Sequence, residues 1–249
     1  MNSWNELYTA SSLSSIHTKL SIFNSESYKL HQKDFYHEAI SYLRLVFARA
    51  RYFIDIATEN LVNDRYVFAF PNEKRGKSDP SVLDRAVELA ESKRIYLPLS
   101  IVAWISEIGN VNFCGTHPEW GKTGYAFEGN TNEVLYTDPL FFELDKESIL
   151  YQYEEWLYQI EECGEDEIGP FKISISPDYI HKANVSGGVP YEVYADKMQF
   201  DSFLLNERHG GGVIYYLRNS LYWGGFPGFE YIKDFTEEKK KSQLTNMII

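Results

Sequence analysis

The stretch Tyr96-Leu97-Pro98-Leu99-Ser100-Ile101-Val102-Ala103-Trp104-Ile105-Ser106-Glu107-Ile108-Gly109-Asn110 limits what this chain can fold into more than any other. Proline suits a first helical position, because its missing N–H would have no intrahelical partner there. Five consecutive apolar residues follow, Ile101 to Ile105, so more than one face of this short helix must be buried. Gly109 stands where a helix can end in the left-handed conformation. A helix that is apolar nearly all round needs neighbours on several sides. It is therefore expected to be the central packing element.

The rest of the chain supplies those neighbours. Apolar residues make up 44% of the 249 residues, with 19 Tyr, 16 Phe and 5 Trp, which is ample for a core and excludes disorder for most of the length. From Asp34 to Leu61, apolar residues such as Phe35, Ala39, Leu43, Phe47 and Ile54 recur at three- and four-residue steps, predicting an amphipathic helix of about seven turns. Residues 1–33 are expected to form weak helical turns packed on the main body. Tyr66 to Phe70 reads as a strand ending at Pro71. Asp79-Pro80 then opens a second helix, with Asp79 as N-cap and Lys93 and Arg94 in its last turn; it leads straight into the Leu97-Pro98 helix.

After Gly109 the pattern turns to strands. Val111 to Phe113, Tyr125 to Phe127 and Leu140 to Leu144 are strand-like. Asp145 caps a further helix, with Ile149, Tyr153, Trp156 and Ile160 on one face and an end at Cys163-Gly164. Phe171 to Ser176 alternates at period two and Tyr191 to Tyr194 returns beside it, predicting an antiparallel pair. A glycine-rich approach, Asn206 to Gly212, precedes a last helix from Val213, and the Trp223 to Phe229 segment folds its rings back over it. The expected class is α+β, an antiparallel sheet packed with helices. A helical extension covers 1–78, the α+β domain 79–235 and a loose tail 236–249.

Function is less legible. The net charge is −12, from 36 acids against 24 bases, which disfavours nucleic acid and anionic membrane and fits a basic protein partner. Two cysteines, Cys114 and Cys163, are too few for a disulfide framework or a tetrahedral zinc site. No run of about 18 apolar residues and no basic-then-apolar leader is seen, so cytoplasm is the expected compartment. Ser186 lacks a nucleophile elbow. Cys114 and His117 could be imagined as a thiolate pair, and the glycines 210–212 as an anion cradle, but neither carries a full signature. No cofactor or metal is expected. The enzyme alternative, a hydrolase or metal-dependent enzyme, would need His117, Asp178, His181 and His209 to converge in one cleft.

The most distinctive charge feature is Glu161, Glu162, Glu165, Asp166 and Glu167, five carboxylates within seven residues beside an aromatic helix. Such a run could steer and hold a basic protein. With Trp120 as an exposed anchor, and His181 and Asn184 on a polar loop, these residues make up the candidate partner-binding set.

The helix from Val82 to Arg94, the Leu97-Pro98 helix through Trp104 to Gly109, the strands from Tyr125 to Tyr194 and the helix from Val213 together resemble the SUKH superfamily. The likeness spans roughly residues 79–223. It departs at Gly109-Asn110, where that family has Asn-Gly, and before residue 79, where the family has no counterpart. The segments 115–120, 181–188 and 223–228 also resemble a bacterial family of uncharacterised proteins, which implies no activity. The SUKH resemblance implies a non-enzymatic bacterial immunity protein that binds and blocks a toxin domain. An acidic surface suits that role, because many nucleic-acid-cutting toxin domains are basic.

Overall fold

The computed structural model describes residues 13–120, 125 and 134–232. Among them are eight helices and three short antiparallel strand pairs, an α+β architecture. The helices are α1 (Leu13–Ser25), α2 (Lys33–Asn63), α3 (Val82–Lys93), α4 (Leu99–Glu107), α5 (Lys146–Cys163), α6 (Glu165–Ile168), α7 (Tyr179–Lys182) and α8 (Val213–Tyr222). The strands are β1 (Val67–Phe68), β2 (Val111–Asn112), β3 (Gly115–Thr116), β4 (Phe141–Phe142), β5 (Lys172–Ser176) and β6 (Tyr191–Tyr194), paired β1–β3, β2–β4 and β5–β6.

The expected single sheet is broken into these pairs. Phe113 N–H, donating to the Leu140 carbonyl at 2.9 Å, extends β2–β4; Glu143 N–H to Ile175 at 3.0 Å joins β4 to β5; and Leu205 N–H to Glu192 at 2.8 Å adds a single bridge at β6. The strand expected at Tyr125–Phe127 falls outside the described residues apart from Tyr125, as does the 236–249 tail. The apolar stripe predicted for residues 34–61 becomes the 31-residue α2. One apolar core runs from Ile16 on α1 to Phe229, so residues 13–78 share it with the rest of the chain.

Helix α4 is the centre of that core. Every residue from Leu99 to Ser106 is buried, and the helix packs against α2, α3 and α8. Trp104 is fully buried, stacked on Phe142 at 4.5 Å and edge-on to Phe47 at 6.0 Å. Its indole N–H donates to the Gly109 carbonyl at 3.1 Å, so the polar tip of the ring is satisfied too. Gly109 ends the helix at φ +78°; a Cβ there would lie 2.3 Å from the Lys77 carbonyl oxygen, so no other residue fits.

Helix α3 starts later than the sequence predicts. Asp79 forms a turn first, its carboxylate accepting from Ser81 N–H at 3.0 Å and Ser81 hydroxyl at 2.6 Å, and pairing with Arg85. The helix then begins at Val82. It does not run straight into α4. Arg94 turns left-handed at φ 57°, and an extended link follows in which Tyr96 N–H donates to the Ala195 carbonyl at 2.9 Å.

The N-terminus of α4 has no side-chain cap, since Pro98 occupies the cap position. Its first buried N–H groups still need acceptors. The chain brings them from far away: Leu99 N–H donates to the Gln199 carbonyl at 2.9 Å and Ser100 N–H to Phe200 at 3.0 Å. The same crossing segment starts α8, through Val213 N–H to the Ser202 carbonyl at 3.1 Å and Ile214 N–H to the Asp201 carboxylate at 3.4 Å. Asp201 is thus a buried carboxylate facing helix amides. Burial raises its pKa to about 6, against the lowering pull of Ser100 and of the backbone N–H groups of Ile214, Ser202 and Val213.

A carboxyl whose pKa is raised by folding binds its proton more tightly in the folded state. Its contribution to stability is therefore fully present below the ordinary carboxylate range and is lost as pH rises through about 6. The Asp201→Asn variant should lose this dependence. Urea denaturation of both proteins should show wild type losing on the order of 2–3 kcal/mol relative to the variant between about pH 4 and about pH 7. Parallel pH profiles would contradict the assignment.

Candidate functional site

The surface helix α5 is built to stand out from the body. Asp145 and Ser148 form a reciprocal cap at its start: Ser148 N–H donates to the Asp145 carboxylate at 2.8 Å, and Asp145 N–H to the Ser148 hydroxyl at 3.1 Å. The helix ends at Cys163-Gly164, as its sequence predicts. Ile149 alone on it is buried. Tyr153 and Trp156 lie against Phe171, at 5.2 and 5.5 Å. The Trp156 indole N–H donates to the Gly169 carbonyl at 3.0 Å. Gln152 clasps the free edge of β5, accepting from Ser174 N–H at 2.7 Å and donating to its carbonyl at 3.3 Å. That edge is thereby closed to other strands.

The opposite face of α5 and the one-turn α6 hold the acids. Glu161, Glu162, Glu165, Asp166 and Glu167 are all exposed, and none forms an ion pair with a cation among the described residues. Sequence reasoning missed that the same face continues towards the N-terminus through Glu147, Tyr151, Glu154, Glu155 and Tyr158, all exposed. The signal was the three- and four-residue spacing of these positions, read only for the apolar side.

His181 and Asn184 lie elsewhere. Asp178 caps α7, accepting from Ile180 N–H at 2.7 Å and from His181 N–H at 3.4 Å, and its other oxygen pairs with His181 Nδ1. Asn184 is exposed in a left-handed turn at φ 58°. A cleft of about 460 Å³ joins Asp178 and His181 to Asp145, Ser148 and Gln152 at the N-terminal part of α5. The acidic run is at the far end of that helix, about 25 Å away by helical rise. The two groups flank one helix without meeting.

Trp120 is not an exposed anchor. It is 8% exposed, stacked on His117 at 4.7 Å and edge-on to Phe226 and Phe229 at 4.9 and 5.0 Å. Its large ring meets the aromatic cluster that the glycines after Trp223 allow to fold back. Trp223 is also buried, as expected.

The groups that an enzyme would need are each held by their own neighbours. His117 Nδ1 accepts from Glu119 N–H at 3.0 Å, which leaves the proton on Nε2, donated to the Asp64 carbonyl at 2.6 Å. His209 pairs through Nδ1 with Glu207, and its Nε2 is 3.1 Å from Glu230. Burial pushes the His209 pKa down, but Glu207 and Glu230 outweigh it and the net shift is upward. Cys114 is buried, and burial raises its thiol to about 11, far from a thiolate at neutral pH. The glycine approach to α8 is already filled from within, since a Cβ on Gly212 would lie 2.2 Å from an Asp201 carboxylate oxygen. Among the described residues, no three His, Cys, Asp or Glu side chains gather as a metal site requires.

Lys182 is the least expected side chain. It belongs to the loop read as polar surface, yet its side chain is fully buried, 2.7 Å from the equally buried Asp138 and 3.2 Å from the Tyr216 hydroxyl. Tyr191 donates to the other Asp138 oxygen at 2.9 Å, and its ring lies under the Lys182 ammonium at 4.3 Å. Burial would lower the Lys182 pKa, but the charges and hydrogen bonds of Asp138 and Tyr216 together outweigh it and the net shift is upward. Burial, then the Asp138 charge, raises Tyr191. The pair ties α7, and so the His181–Asn184 turn, to β6 and α8.

Removing one partner leaves the other charge buried alone. Lys182→Met should lower the unfolding free energy by about 3–5 kcal/mol, and Lys182→Met combined with Asp138→Asn should recover most of it. Chemical denaturation of both variants checks this; a single variant within about 1 kcal/mol of wild type would contradict it.

Comparison of the chain with protein-family models, with curated proteins and with solved structures finds no match.

Proposed function

We propose that this chain is a non-enzymatic binding protein of the immunity type, working in the cytoplasm, that neutralises a basic toxin domain or another basic protein through its acidic surface. The observation that carries the reading is the α5–α6 end. Glu161, Glu162, Glu165, Asp166 and Glu167 stand in solvent with no internal cation to neutralise them among the described residues. Two of these acids sit in the last turn of α5, where the helix dipole disfavours negative charge. A surface that keeps an unfavourable arrangement of like charges is suited to an external cation. The SUKH resemblance of residues 79–223 points the same way, as does the net charge of −12. No helix among the described residues is long and apolar enough to cross a membrane.

The test is affinity capture run side by side with wild type and with a variant carrying glutamine or asparagine at the five acidic positions. The expected result is a basic protein held by wild type at low salt, released as salt rises through about 0.2 M, and absent from the variant. Equal recovery by both proteins, or no basic protein recovered by either, would overturn the proposal.

A further inference from the structure

The outer face of α5 carries a repeat that negative charge alone does not explain. In steps of three or four residues it shows Glu147, Tyr151, Glu154 with Glu155, Tyr158, and Glu161 with Glu162. Residues three and four apart are neighbours on a helix surface. Each phenol ring therefore lies between two tiers of carboxylates. Tyr151 is 65% exposed and Tyr158 59%. Neither ring meets a cation or another ring among the described residues. The helix has a single basic residue, Lys146, which faces Glu88 on α3 at 3.5 Å.

Aromatic residues on the wet face of a helix are poorer helix formers than glutamine, glutamate or lysine and leave apolar area in water. Their placement between acids matches one kind of cation better than the other. A guanidinium is planar and weakly hydrated: it stacks on an aromatic face and still forks two hydrogen bonds to a carboxylate. An ammonium is compact and strongly hydrated, so it gains from the acids and little from the rings. We infer that α5 docks an arginine-bearing segment of the basic partner, each guanidinium stacked on Tyr151 or Tyr158 and bonded to glutamates of an adjacent tier. This rests on the acidic-surface reading above and adds the identity of the recognised side chain.

The probes are labelled nona-arginine and nona-lysine peptides, titrated into the full chain at about 50 mM salt and followed by fluorescence anisotropy. Wild type should bind nona-arginine about tenfold more tightly than nona-lysine. In Tyr151→Leu/Tyr158→Leu the ratio should fall to within about twofold, while nona-lysine affinity stays as in wild type. That unchanged affinity also reports an intact fold. Tyr151→Phe/Tyr158→Phe should keep the arginine preference. Equal affinity of the two peptides for wild type, or a preference that survives in the leucine variant, overturns the arginine inference and leaves the acidic surface standing. Failure of both peptides to bind overturns the acidic surface, and this inference with it.

Discussion

Helix α4 cannot touch water, and the fold is arranged around the consequences. Eight consecutive residues, Leu99 to Ser106, are buried, so the helix has no solvent face on which its terminal amides could be satisfied. An unpaired amide in such a place costs about 1–3 kcal/mol. Pro98 offers no side-chain acceptor. The Gln199 and Phe200 carbonyls must therefore lie across the start of α4, and this one crossing decides much else. It brings Asp201 and Ser202 to the start of α8, and Phe200 N–H to the Ser27 hydroxyl at 3.2 Å beside α1. At the other end, Arg44 of α2 reaches Glu107 at 2.5 Å. Parts of the chain 173 residues apart are thus joined through the needs of one nine-residue helix.

Those features that depend on nearby residues were legible in the sequence. The Asp145 cap, the stop at Gly164, the α2 stripe, the β5–β6 pair and the burial of α4 all follow from spacing within one segment. What escaped depends on partners distant in sequence. Nothing around Lys182 announces that Asp138, 44 residues earlier, draws it into the core. Trp120 sits in a loop beside Glu119, and the rings that bury it, Tyr66, Phe226 and Phe229, come from distant parts of the chain. The sheet broke into pairs because the strands are mostly two residues long, too short for a shared ladder, and this too is set by what each strand end must reach. For the candidate site, the acidic run was visible as composition, whereas its extension along α5 through Tyr151 and Tyr158 needed the helix phase.

The two polar clusters in the interior mark the limit of reading function from unusual residues. Lys182 with Asp138, and His209 with Glu207, are buried pairs of ionisable side chains of the kind that catalytic sites also use. Here both pairs are buried away from solvent. Tyr216 bonds to Lys182 and Tyr191 to Asp138, and Glu230 lies 3.1 Å from the second nitrogen of His209. Lys182 and Asp138 spend their bonds inside the protein, whereas His209 Nε2 is buried without a hydrogen-bond partner, with Glu230 as its nearest charge. Such clusters join elements, α7 to β6 and α8 in one case, and the loop after residue 206 to the 227–231 turn in the other.

Helix α5 reverses that economy. Its attachment is entirely on one side: Ile149 in the core, Gln152 bonded to both backbone groups of Ser174, and Trp156 bonded to Gly169. These contacts hold the helix whatever stands on the other side, so the outer residues are free of structural duty. Random solvent-facing positions on a helix would be expected to mix charges of both signs, because opposite pairs three or four residues apart add stability and like pairs remove it. The outer face of α5 has acids and tyrosines and no base. Local stability does not account for that pattern. It is the pattern that the binding role proposed above would require.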